Sequence, residues 1–145
     1  MGGIYAFSDW ITNVTFAGIN NSSIQDGWIT RYNSATGSVR RGETYSLSVS
    51  VNSVNADFSY QYIAAYIDWN SDGDCGARSG ELIPDVGEGY LLGQGAGHPA
   101  TMSINITVPN DAVLGTTWLR VMLDGDTPGG EGDYGCYVGY GEIKD

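Results

Sequence analysis

The chain has 145 residues and a formal net charge of −11, with 6 Lys and Arg against 17 Asp and Glu. This length predicts a single domain over residues 1–145 that is large enough to bury an ordinary core. The negative charge excludes a general affinity for nucleic acid or for an anionic membrane, because both attract basic surfaces.

Alternation of apolar and polar residues is the dominant pattern along the chain. The runs at 45–51 and 102–108 place apolar residues on one face and Ser, Thr or Asn on the other, which indicates half-buried strands. The run at 118–123 is more uniformly apolar and predicts a central strand. In chain order, strands are predicted at residues 10–19, 27–31, 38–41, 45–51, 60–69, 82–92, 102–108, 118–123 and 137–143.

Glycine, proline and asparagine mark the turns between these strands, and the 22 glycines agree with many short elements. No segment has a helical period beyond one turn, at 111–114. The predicted fold class is all-β: an antiparallel two-sheet β-sandwich of Greek-key or jelly-roll type with about eight strands.

The predicted strand at 60–69 runs directly into Asp68-Trp69-Asn70-Ser71-Asp72-Gly73-Asp74. Oxygen-bearing side chains at alternate positions, followed by a glycine, are typical of calcium loops. A helix-loop-helix calcium site would need a Glu at loop position twelve, which here is Ser79. We therefore predict a strand-loop calcium site. The alternative is a metal-free turn rich in Asp, Asn and Gly.

The metal ligands predicted from the loop are Asp68, Asn70, Asp72 and the backbone carbonyl of Asp74, with Glu81 as the nearest closing carboxylate. Calcium takes six to eight oxygens, so this set needs completion. The acidic, glycine-rich segment 124–135 is either a loop or a second ion site. Its candidate ligands are Asp124, Asp126 and Asp133.

With only 6 basic residues, the exposed face must be built from hydroxyl and amide side chains, which is usual for secreted β-proteins. Cys75 and Cys136 are the right number for one disulfide, with two free thiols as the alternative. Four Asn-x-Ser/Thr sequons are candidate glycosylation sites, and Asn105 is the best placed because it lies on the polar face of a predicted strand. The sequons are Asn13, Asn20, Asn21 and Asn105. The start of the chain does not read as a signal peptide, and no apolar run is long enough to span a membrane.

The sequence does not favour an enzyme. The only histidine is His98, in a glycine-rich turn, so a zinc-hydrolase ligand set is absent and His98 is the one ordinary base for a serine or cysteine nucleophile. The 17 acidic residues leave a glycosidase pair open, but nothing in the sequence singles one out. Among the tryptophans, Trp10 and Trp118 are predicted to lie in the core. Trp69 is predicted to pack opposite the ion, and Trp28 is the one to test for exposure to a sugar.

Several motifs resemble those of the GEVED domain, a β-sandwich module of secreted and surface-anchored microbial proteins. The run from Tyr66 to Asp74, with Gly80-Glu81 after it, resembles the central signature of that family. Its opening, middle and naming motifs resemble, in order, Trp10-Ile11 with Val14, Gly18 and Asn20; Val108-Pro109 with Ala112, Gly115, Thr117 and Arg120-Val121; and Gly141-Glu142-Ile143-Lys144-Asp145.

The resemblance covers almost the whole chain, with Lys144 standing where the naming motif has an acidic residue. It implies that a disulfide, if one forms, joins Cys75 to Cys136. That pairing would bring Glu142 near the calcium loop as a further ligand.

Together these observations predict a non-enzymatic, calcium-binding β-sandwich that is secreted or held at the cell surface. Its expected role is adhesion or assembly, for example as a subunit of an extracellular fibre or surface layer. Its expected partners are calcium, other copies through edge strands, and surface glycans. The alternative is a carbohydrate-binding accessory module of a secreted hydrolase.

Overall fold

A computed structural model describes residues 9–24, 29–30, 32, 34–53, 62–73, 82–83, 90–91, 100–124 and 141–144. All regular secondary structure in these ranges is β-strand. None of the described residues forms a helix that is long and apolar enough to cross a membrane. The strands are β1 (Asp9–Phe16), β2 (Ile19–Ser22), β3 (Ile29–Thr30), β4 (Thr44–Ser53), β5 (Tyr62–Ile67), β6 (Leu82–Ile83), β7 (Tyr90–Leu91), β8 (Ala100–Thr107), β9 (Leu119–Asp124) and β10 (Gly141–Lys144).

The strands form two sheets. The first has the order β2-β1-β4-β8, and all its neighbours are antiparallel. The second has the order β3-β10-β9-β5-β6, and β7 also pairs with β5. Its neighbours are antiparallel except β3 and β10, which run parallel. The predicted all-β, two-sheet fold class is confirmed.

One core joins the two sheets, because apolar residues of both belong to the same buried cluster. The first sheet contributes Ile11, Val14, Phe16, Leu47, Val49, Val51 and Ile106, and the second contributes Ile63, Ala65, Ile67, Val121 and Leu123. In β9 the intervening Met122 is also only 3% exposed, so this strand is buried on both faces. The uniformly apolar run had predicted such a central strand, and β9 lies between β10 and β5.

The outward face of the first sheet, which we call the polar face, carries hydroxyl and amide side chains. It includes the even-numbered residues of β4 from Thr44 to Asn52 and the odd-numbered residues of β8 from Thr101 to Thr107, which lie opposite one another across the pair. Their hydroxyls bond across the strands, between Thr44 and Thr107 (2.8 Å), Ser50 and Thr101 (2.9 Å), and Ser48 and Ser103.

Two predicted strands differ from those observed. The segment 10–19 is a hairpin, because Ala17 (φ 49°) and Gly18 (φ 98°) take left-handed conformations and turn the chain between β1 and β2. The segment 38–41 forms no strand and leads into the turn at Arg41-Gly42. Gly42 has φ 78°, which glycine adopts readily.

The tryptophan predictions also need correction. Trp118 is 55% exposed, because it precedes β9 and lies in a connection instead of the core. Trp10 is half-buried and pairs with Asn52, so it lies on the polar face. A β-bulge between Ile11 and Asn13 changes the register of β1, and a simple alternation does not reveal this. Trp28 lies outside the described residues.

Candidate functional site

The Asp68 loop, residues 68–73, begins where β5 leaves the sheet. The carboxylate of Asp68 accepts hydrogen bonds from two backbone amides later in the loop. Asp72 N donates to Oδ1 (3.1 Å), and Gly73 N donates to Oδ2 (3.0 Å). The Asp72 amide also donates to Asn70 Oδ1 (2.9 Å). One nitrogen therefore holds the Asp68 and Asn70 oxygens together at the centre of the loop.

This curvature depends on two left-handed residues. Gly73 has φ 76°, and an added Cβ there would meet no atom within 4 Å, so the backbone conformation is what favours glycine. Ser71 has φ 57°, which is uncommon for a residue with a side chain. The sequence pattern had suggested the turn at Gly73 but not the one at Ser71.

The loop is fixed to the connection between β8 and β9, residues 108–118. The Thr117 hydroxyl donates to the Asp68 carbonyl (2.5 Å), and the Val113 amide donates to the Trp69 carbonyl (2.7 Å). On its other side, Arg41 Nε donates to the Ala112 carbonyl (2.7 Å), which ties the same connection to the turn before β4. Both sheets thereby position the Asp68 loop.

The donor chemistry of the loop fits a hard cation such as calcium. An ionised carboxylate has about four lone-pair sites, so Asp68 can accept two amides and still bind a metal. Asp68 is half-buried, while Asn70 and Asp72 are exposed to incoming ions. Within the described residues, no three His, Cys, Asp or Glu side chains form a metal-binding group. The loop itself supplies two carboxylates and one amide, which is only part of a calcium coordination shell.

The strand register does not bring Glu142 to this loop. Glu142 lies opposite Leu123 in β9, and Leu123 lies opposite Ile63 in β5. Ile63 precedes Asp68 by five residues, which at about 3.4 Å per residue corresponds to roughly 17 Å along the strands. Calcium–oxygen distances are about 2.3–2.6 Å, so the Asp68 loop needs another source of ligands. Asp74 and Glu81, the other two predicted ligands, lie outside the described residues.

Of the predicted second ion site, only Asp124 is described, as the last residue of β9. It pairs with Tyr62 and Gly141, at the opposite end of β5 from the Asp68 loop. Asp126 and Asp133 lie outside the described residues, as do Cys75 and Cys136, so the predicted second site and disulfide remain predictions.

The sequon asparagines have different environments. Asn20 and Asn105 are exposed. Asn13 is half-buried, and its Nδ2 donates to Asn20 Oδ1 (2.9 Å) and Ser22 Oγ (3.2 Å), so the nitrogen that would carry a glycan is engaged. Asn21 is half-buried and lines the cavity described next. By access, Asn20 and Asn105 are the better glycosylation candidates.

A half-open cavity of about 260 Å³ lies beside the Asp68 loop. Its wall is mainly apolar and includes Trp69 and Trp118, with Thr117 between this wall and the Asp68 carbonyl. Trp69 is half-buried and packs against the core cluster. The sequence did not predict this cavity, since its lining residues come from strands and connections far apart in the chain.

Comparison with known families finds a match to part of the chain. The family model of the GEVED domain matches residues 62–145. Neither a curated protein nor a solved structure matches the chain. The family match begins at the first residue of β5, includes the Asp68 loop and covers more than half of the 145 residues. The opening motif around Trp10 lies outside the match. The chain belongs to the GEVED domain family.

Proposed function

We propose that this protein is a non-enzymatic, extracellular β-sandwich module that binds calcium through the Asp68 loop and serves adhesion or assembly at a surface. The observation that carries the proposal is the fixed geometry of the loop. The amides of Asp72 and Gly73 hold the Asp68 carboxylate in place, and Asn70 shares one of these donors. A cation would meet oxygens that are already oriented, which lowers the ordering cost of binding.

The charge of the chain supports calcium as the ligand. With 17 acidic against 6 basic residues, the carboxylates of the folded protein repel one another, and bound divalent cations reduce that repulsion. Exposed oxygen sites of extracellular modules bind calcium at about 10⁻⁴–10⁻³ M. The role of such a site is to stabilise the fold in calcium-rich surroundings, and Asp74 and Glu81 are the nearest residues in sequence that would complete it.

An edge of the first sheet supports the assembly role. Among the described strands, β8 pairs only with β4, and it is eight residues long. A strand with one free edge can accept a strand from a second copy through backbone hydrogen bonds. Calcium would brace each subunit in such an array.

Calcium binding is tested by isothermal titration to millimolar calcium after the protein has been treated with chelator. The wild type should bind, and Asp72→Ala should bind at least tenfold more weakly. Asp111→Ala, which removes an exposed carboxylate outside the loop, is the matched control and should bind as the wild type does. An absence of calcium binding up to 10 mM would refute the metal site.

Assembly is tested separately, by size-exclusion chromatography over a range of protein concentrations with calcium and with chelator. Self-association should increase with concentration. Ser103→Pro should reduce it, because a proline in β8 disturbs the edge strand. A monomer under all conditions would contradict the assembly role and leave calcium binding untouched.

A further inference from the structure

The polar face of the first sheet is uncharged over its whole width. Between β1 and β2, Asn13 pairs with Ser22 and Thr15 pairs with Asn20, and these residues continue the face beyond β4. No outward position of the four strands is Asp, Glu, Lys or Arg. A solvated sheet face normally carries charged side chains. All 6 basic and 17 acidic residues therefore lie elsewhere in the chain.

The hydroxyl groups of this face are held in a regular array. The pairs between β4 and β8 bond across the strands, and Asn13 Nδ2 bonds to Asn20 Oδ1 and Ser22 Oγ. Neighbouring strands lie about 4.8 Å apart, and outward residues recur about every 6.8 Å along each strand. Each hydroxyl has one donor and two acceptor sites, so one cross-strand bond leaves capacity for a ligand.

Trp10 adds an aromatic surface to the same face. It lies opposite Asn52, at the end of β4 away from Thr44, and it is half-buried. A tryptophan ring offers an apolar plane against which the C–H face of a sugar ring can pack, while amides and hydroxyls bind the sugar hydroxyls.

From these observations we infer that the polar face binds a neutral polysaccharide, extended across the strands between Trp10 and the hydroxyl pairs of β4 and β8. Charge selects this class of partner, because a face without charge gives no ion pairing to an acidic polymer and the net charge of −11 repels one. A second copy of the chain is a poorer occupant, since apposing two polar faces buries little apolar surface. The inference concerns a surface other than the Asp68 loop, so a negative result for polysaccharide binding would not bear on the proposed calcium site.

The test is affinity electrophoresis of the whole chain in gels that contain cellulose derivative, xylan, β-1,3-glucan, mannan, starch or glycol chitin, with alginate as the acidic comparison. At least one neutral polymer should retard the wild type. Ser103→Arg and Asn105→Arg each place a charged, bulky side chain on the face, and each should weaken retardation at least tenfold, as should Trp10→Ala. Using separate substitutions keeps the test decisive if one variant fails to fold, which circular dichroism detects.

Leu114→Arg is the matched control, because Leu114 is 78% exposed in the connection between β8 and β9, away from the polar face. It should be retarded as the wild type is. Retardation should also persist at about 0.5 M salt, since a neutral ligand involves no ion pairs to screen. The inference is overturned if no neutral polymer retards the protein, if alginate alone does so, or if the folded face variants bind unchanged. Concentration-dependent dimerisation that Ser103→Arg abolishes, without any retardation, would reassign the face to self-association.

Discussion

Asp68→Ala should destabilise the protein in two separable ways, because its carboxylate has two roles. In the absence of calcium it accepts the amides of Asp72 and Gly73, at 3.1 Å and 3.0 Å. In the presence of calcium it is also a proposed ligand. The backbone amides resemble those satisfied by a helix N-cap, where loss of the acceptor costs about 0.5–2 kcal/mol. Since Asp68 is half-buried and water can replace part of the contact, we expect a loss of about 1–2 kcal/mol in chelator.

Calcium adds a second contribution by mass action. With a dissociation constant of about 10⁻³ M, 10 mM calcium stabilises the wild type by about 1.4 kcal/mol, and with 10⁻⁴ M by about 2.7 kcal/mol. The variant should lose this increment, so the gap between wild type and variant should widen in calcium. For a domain of this size, 1 kcal/mol corresponds to a shift in Tm of about 3–4 °C.

The assay is urea unfolding, followed by tryptophan fluorescence, in chelator and in 10 mM calcium. Asp111→Ala is the matched control and should retain the whole calcium increment. If Asp68→Ala gains as much stability from calcium as the wild type does, the Asp68 loop is not the calcium site. If the variant loses nothing in chelator, the two amide contacts do not stabilise the loop.

Three further predictions test the fold and its local electrostatics. Leu47→Ala should lower the free energy of unfolding in urea by about 2–5 kcal/mol, because Leu47 is fully buried, whereas Leu114→Ala at a 78% exposed position should change it by less than about 0.5 kcal/mol. Ser71→Val should cost about 1–2 kcal/mol in the same assay, because φ 57° is unfavourable for a β-branched residue, while Ser71→Gly should be neutral or stabilising. The hydrogen bond from the Tyr45 hydroxyl to Glu43 Oε2 (2.7 Å) raises the pKa of Tyr45 above its ordinary 10.0. The stabilisation that this bond gives to the fold is therefore present below pH 10 and is lost as the pH rises through the raised pKa. The ultraviolet difference titration between wild type and Tyr45→Phe should show Tyr45 ionising above pH 10, and Glu43→Gln should lower the pH of this ionisation. An unchanged titration in Glu43→Gln would contradict the Glu43 hydrogen bond as the cause of the raised pKa.

The polar and apolar pattern of the sequence determined much of the fold. Alternation at 45–51 and 102–108 identified β4 and β8 and their buried faces, because side chains of a strand point alternately to opposite sides. The uniformly apolar run identified β9 as a central strand. The Asp68 loop was also predicted from the sequence, since ligand-type residues at alternate positions and a glycine lie within one short segment.

Only the tertiary structure decided where local backbone irregularities lie and which residues far apart in the chain come together. The bulge in β1 places Trp10 on the polar face, and the turn at Ala17-Gly18 divides one predicted strand into two. Sequence distance also gave no means to locate Glu142, whose position depends on the register of β10 against β9 and β5. A one-residue difference in register or alternation reverses the face of every following side chain, so which residues meet is fixed by strand pairing.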